Sequence, residues 1–173
     1  GAGYLHSVEV MKYLNEHVQL FAENGFQTPV LPEISARAVS GDRSVMLLWD
    51  STGIGYSKFG YRFEGFNIWQ GVGGSGPWKK IATFDQVNGV TRIWDRIMDP
   101  SLGMVVSMPV QEGTDSGIPA FFHLVDNALA GGSLINGRTY HFAVTAYYHN
   151  PERPPFSLET AIVDIPVRPG LPI

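Results

Sequence analysis

The residues in this chain that could do chemistry are a glycine-rich loop, five histidines, scattered acids and a set of aromatic rings. Gly71-Val-Gly-Gly-Ser-Gly76 has GxGxxG spacing, which cradles pyrophosphate when the loop opens a helix whose N-terminus faces the anion. Here Pro77-Trp-Lys-Lys-Ile81 follows and reads as a strand, so the loop is expected to be a hairpin connection. His6, His17, His123, His141 and His149 share no ligand spacing, and His6 with Glu9 on one helix face lacks a third ligand. Asp95, Asp99 and Asp115 are candidates for calcium, which takes several oxygens from a loop. No D-x-[DN]-x-[DN]-G pattern accompanies them, and turn formation is the competing role. Trp69, Trp78, Trp94, Tyr147 and Tyr148 offer flat faces for a sugar or a protein partner, against the alternative of cross-strand packing beneath a long insert. No Ser-His-Asp order stands out. The chain is expected to bind rather than to catalyse, with calcium as its one candidate cofactor.

Composition narrows the partners. The chain has 173 residues, 44% apolar and 16% charged, which fills one core and leaves a weakly charged surface. Aromatics at 12% favour β structure, while twenty Gly and twelve Pro mark a loop-rich chain. A formal charge of −4 with scattered Lys and Arg gives no electrostatic footprint for nucleic acid. The absence of cysteine removes disulfides, thiol catalysis and thiolate metal sites without naming a compartment. No apolar run reaches the roughly eighteen residues of a membrane-spanning helix.

The elements that position these residues follow from periodicity. Over 7–23, Met11, Leu14, Val18 and Phe21 fall on one helical face, with Ser7 as cap and Asn24-Gly25 as stop. That stripe needs a partner, and two are open: the chain's own sheets, or a neighbouring domain or subunit. Residues 1–33 are therefore expected to form a helix and a proline-containing connector, Pro29-Val-Leu-Pro32. From Ile34 the period becomes two, and strands are expected around Val45–Trp49, Phe63–Trp69, Trp78–Phe84, Tyr140–Tyr147 and Leu158–Val167. Residues 34–168 read as one antiparallel sandwich with an insert at about 85–133, and 169–173 as a C-terminal linker. Within the insert, short strands are expected near Val90–Trp94 and Met104–Met108, and a helical stretch near Phe121–Leu129. Trp49 and Tyr140 are assigned to the core.

Several blocks carry a family likeness. Ser44-Val-Met-Leu-Leu-Trp49-Asp50, Gly65-Phe-Asn-Ile-Trp69 and Leu134-Ile-Asn-Gly137-Arg-Thr-Tyr140-His-Phe-Ala-Val144-Thr-Ala146 resemble strands of the fibronectin type III family. The resemblance implies an immunoglobulin-like sandwich in which the Tyr140 hydroxyl bonds back to nearby backbone. Asn67-Ile-Trp-Gln-Gly71, Trp78-Lys-Lys-Ile-Ala-Thr83, Gly113-Thr-Asp-Ser-Gly117 and Ser157-Leu-Glu159 are similar to sandwich modules in large secreted proteins of Bacteroidetes-like bacteria, many exported by the type IX system. That likeness implies an extracellular or cell-surface location and a structural or adhesion role in a filament or other assembly, with glycan binding beside an enzyme as the alternative. It implies no activity, because function belongs to sites rather than folds.

Overall fold

A computed structural model of the chain describes residues 2–23, 25, 27 and 29–170. It is mainly β, with antiparallel sheets and one N-terminal helix. The small sheet is β1 (Ala36–Gly41), β2 (Ser44–Trp49) and β8 (Phe121–Leu124), in that order. Alternation in β2 sends Val45 and Leu47 inward, fully buried, opposite Leu124 and Phe122 of β8. The larger sheet is centred on β4 (Tyr61–Gly71) and β9 (Tyr140–His149). On the far side of β4 lie β3 (Ser57–Lys58) and β5 (Trp78–Asp85), and on the far side of β9 lie β10 (Ser157–Glu159) and β11 (Ile165–Val167).

The core lies between the sheets. Phe63, Phe66 and Ile68 of β4 and Tyr140, Phe142, Val144, Ala146 and Tyr148 of β9 pack against Val45, Leu47 and Leu124. Tyr140 is buried as expected. Trp49 sits at the edge of the core, partly buried, its ring 5.6 Å from Phe66 and 6.2 Å from Phe84.

The insert differs from its expected form. β6 (Arg92–Asp99) and β7 (Met104–Glu112) pair along their length into a two-stranded ribbon. Asp99 closes its turn by accepting from Ser101 N and Leu102 N. The stretch expected to be helical near Phe121–Leu129 is a strand followed by a turn. Phe122 and Leu124 alternate toward the core, so a period of two wins over local helix propensity. Asn127 Oδ1 then accepts from Leu129 N and Ala130 N, which holds the chain in a turn. The last strand is also split. Between β10 and β11, Thr160 alone stays on the ladder, through Thr160 N to Ala146 O at 2.9 Å.

The helix α1 spans Ala2–Glu23, and it lies against β7 of the ribbon. The connector after it runs into the core through Leu31 and Ile34. At the other end, Gly137 N donates to Pro169 O and Gly170 N to Gly41 O, so the first residues of the expected linker are tied to the sandwich. Residues 171–173 lie outside the described residues.

Candidate functional site

An antiparallel sheet ordinarily shows one face to water. In this sheet the outer face is covered: Asn67, Ala143 and Thr145 are fully buried and Tyr147 is 1% exposed. Gln111 at the end of β7 and the Glu159 side chain of edge strand β10 reach over it, and the polar groups trapped there must therefore find partners. They do so in one connected layer. Asn67 Nδ2 donates to Gln111 Oε1 and to Glu159 Oε1, both at 2.9 Å. Gln111 Nε2 donates to Glu159 Oε2 at 2.7 Å, and Lys80 Nζ donates to Gln111 Oε1 at 3.2 Å. Thr83 Oγ1 donates to Asn67 Oδ1, Trp69 Nε1 to Thr145 Oγ1, and Thr145 Oγ1 in turn to Glu159 Oε1.

The Gln111 carboxamide has one orientation that satisfies this layer. Its oxygen faces two donors and its nitrogen faces a carboxylate, so turning it over would lose all three bonds. Lys80 lies beside the Trp69 ring, with Nζ 5.6 Å from the centroid. Burial pushes its amine below the ordinary lysine value, opposed by Glu159 and then Glu112.

A second polar cluster adjoins the layer. Asp85 Oδ1 accepts from Thr114 N and Asp115 N at 2.9 and 2.7 Å, and Asp85 Oδ2 is buried without a partner. Glu64 takes both oxygens to Asn88 Nδ2. Burial raises its carboxyl above the usual range, against the lowering effect of that bond. The Tyr147 hydroxyl is driven up by burial first and by Asp85 next.

The structure separates the calcium candidates. Asp95 is buried and accepts from Phe156 N at 2.7 Å, which ties the ribbon to the segment before β10. Asp99 serves its own turn, and Asp115 Oδ1 accepts from Asn88 N and Gly89 N. Among the described residues no group of three or more His, Asp or Glu is placed to hold a metal. The aromatic candidates divide as well. Tyr147 and Tyr148 are buried, because both faces of β9 are covered, so neither offers a platform to a ligand. Trp69 and Trp78 are partly buried, whereas Trp94 is 50% exposed with Arg92 over its ring.

The helix stripe is the other candidate surface. Met11, Leu14 and Val18 are 70, 56 and 62% exposed. Phe21, at 41%, lines a cleft of about 370 Å³ with His17, Phe59, Tyr61 and Pro154. The helix is held by a different face, through ion pairs Glu16–Arg96 and Glu23–Arg153.

Lys80, Gln111 and the roles of Asn67 and Glu159 were not legible as a site in the sequence. The available signal was β9 itself: Tyr140–His149 holds no Lys, Arg, Asp or Glu, so neither of its faces reads as solvated. The structure thus defines an antiparallel sandwich with a covered outer face and a helix-bearing inserted ribbon. Comparison with family models, curated proteins and solved structures finds no match for this chain.

Proposed function

We propose that this chain is a non-catalytic structural or adhesion module of an exported surface or fibre protein, acting through protein–protein packing. The observation that carries this reading is the outward stripe Met11-Leu14-Val18 on a helix already anchored by another face. Apolar side chains at that spacing favour a partner helix or sheet, and a contiguous exposed patch of this kind marks an interaction surface. Trp94, Met98 and Met108 of the ribbon are also exposed, at 50, 37 and 44%. The sheet order, with β1-β2-β8 facing β9 and β4, supports a fibronectin type III-like framework. Exported placement rests on the resemblance of the motif blocks. For the alternative, a carbohydrate-binding accessory domain, Trp94 is the one exposed ring among the five aromatic candidates.

The test is self-association and stripe protection. Light scattering and hydrogen exchange are followed at rising protein concentration, beside a Met11→Glu/Leu14→Glu/Val18→Glu chain. The expected result is association of the wild type with protection of the helix amides, both lost in the variant while the sandwich melts unchanged. A wild type that stays monomeric, with an unprotected helix at the highest concentration, overturns the reading.

A further inference from the structure

Lys80 and Gln111 lie on strands from different parts of the fold, β5 of the sandwich and β7 of the ribbon, yet their side chains touch. Around that contact stand the groups that amide exchange requires. We propose that Lys80 and Gln111 form an intramolecular isopeptide bond, promoted by Asn67 and Glu159.

The nucleophile is the Lys80 amine. An ammonium cannot attack a carbonyl; burial favours the neutral amine that can, against the pull of the Trp69 ring face and Glu159 toward the charged form. The electrophile is the carboxamide of Gln111, a residue that is 5% exposed. Attack at Cδ places negative charge on Oε1, and Asn67 Nδ2 already donates to that oxygen at 2.9 Å. A fixed donor aimed at a developing oxyanion is among the strongest aids to acyl transfer. Thr83 holds Asn67 in this orientation through its Oδ1.

Glu159 supplies the proton transfers. Its Oε2 accepts from Gln111 Nε2, the nitrogen that must leave, at 2.7 Å. The carboxylate takes a proton from the attacking nitrogen and returns it to the departing one. The Lys80 Nζ–Gln111 Cδ bond forms, the Cδ–Nε2 bond breaks, and ammonia leaves. Amine plus primary amide gives secondary amide plus ammonia, with no oxidant, reductant or cofactor. The motion needed is small: Nζ moves from Oε1 onto Cδ, within the reach of a four-carbon side chain. Holding both reactants together replaces a bimolecular encounter, an advantage worth effective molarities of about 10⁵ M or more.

Intact mass of the full chain, held folded at physiological temperature for several days, tests this. The expected result is a loss of about 17 Da, one ammonia, and a protease fragment joining the peptides of Lys80 and Gln111. Lys80→Arg keeps a donor to Gln111 and should stay folded at full sequence mass. Glu159→Gln should also keep full mass, and retention of its melting transition separates lost chemistry from lost fold. A folded wild type at full mass overturns the proposal. So does an ammonia loss that maps to Asn88-Gly89 or Asn136-Gly137, where ring closure at Asn-Gly releases the same mass. A folded Glu159→Gln chain that still cross-links removes Glu159 from the reaction.

Discussion

The backbone N–H of Ile135 donates to the Tyr140 hydroxyl at 3.0 Å, across a five-residue bend that begins at fully buried Leu134. The bond closes the corner through which the chain enters β9, with the Arg138 guanidinium over the same ring. Tyr140→Phe keeps the ring and leaves the Ile135 donor without this acceptor. The expected cost is about 1–2 kcal/mol, read as a lower urea midpoint with unchanged slope.

Tyr148 shows the opposite case. Its hydroxyl is buried without a partner beside Tyr56, the rings 4.9 Å apart, and burial pushes its ionisation up to about 12. Removing an unsatisfied hydroxyl is nearly neutral or stabilising, so Tyr148→Phe should leave the stability at pH 7 within about 1 kcal/mol or raise it. The alkaline limb should change more. An unfolded tyrosine ionises near its ordinary value of 10, while folded Tyr148 holds its proton to about 12. The native state then binds more protons than the unfolded state in that window, and stability falls as pH rises through it. Tyr61, also pushed up to about 12, contributes in the same direction. Urea midpoints between pH 9 and 12 should therefore fall less steeply in Tyr148→Phe than in the wild type.

Gly113 is held by close approach. A Cβ there would overlap Asp85 Oδ2 and stand 3.3 Å from the Tyr147 hydroxyl. Gly113→Ala must displace Asp85, whose other oxygen organises Thr114 and Asp115. The expected cost is about 2–3 kcal/mol by overpacking and loss of those bonds. Gly73→Ala, with open space around its Cβ position, should change stability by less than about 0.5 kcal/mol. Equal melting temperatures for the two variants would contradict this account.

The strands of the sandwich were legible because Val45-Leu47-Trp49 and Tyr140-Phe142-Val144-Ala146 alternate cleanly and face one another across the core. Trp49 was read as a core residue from that alternation, and it packs against the core, but at the end of β2, beyond the last residue paired with β8, where covering is incomplete. The turn after Leu124 was not legible, because Asn127 fixes it through its own side chain and through Gln70 of β4. The polar layer was hidden for a related reason. Lys80 and Gln111 are thirty-one positions apart, and only docking of the ribbon onto the outer face brings them together. Tyr147 and Tyr148 were offered to a ligand because sequence cannot tell a solvated sheet face from a covered one. The helix was visible from its stripe, but which face it turns to the ribbon depends on Arg96 and Arg153, outside its own segment.

The broken strand after Glu159 bears on how this protein avoids its own kind. A long straight edge of unpaired backbone invites another chain to add a strand, and repetition of that event produces fibrous aggregates. On the β9 side, the margin of the large sheet is two pieces of three residues each, β10 and β11, with residues 161–164 off the ladder between them. Pro166 within β11 further removes a backbone donor from that margin. A neighbour approaching there finds too short a run of backbone to template. Runaway strand exchange is thereby blocked on this margin, and contacts made through the helix stripe do not spread from there into open-ended strand addition.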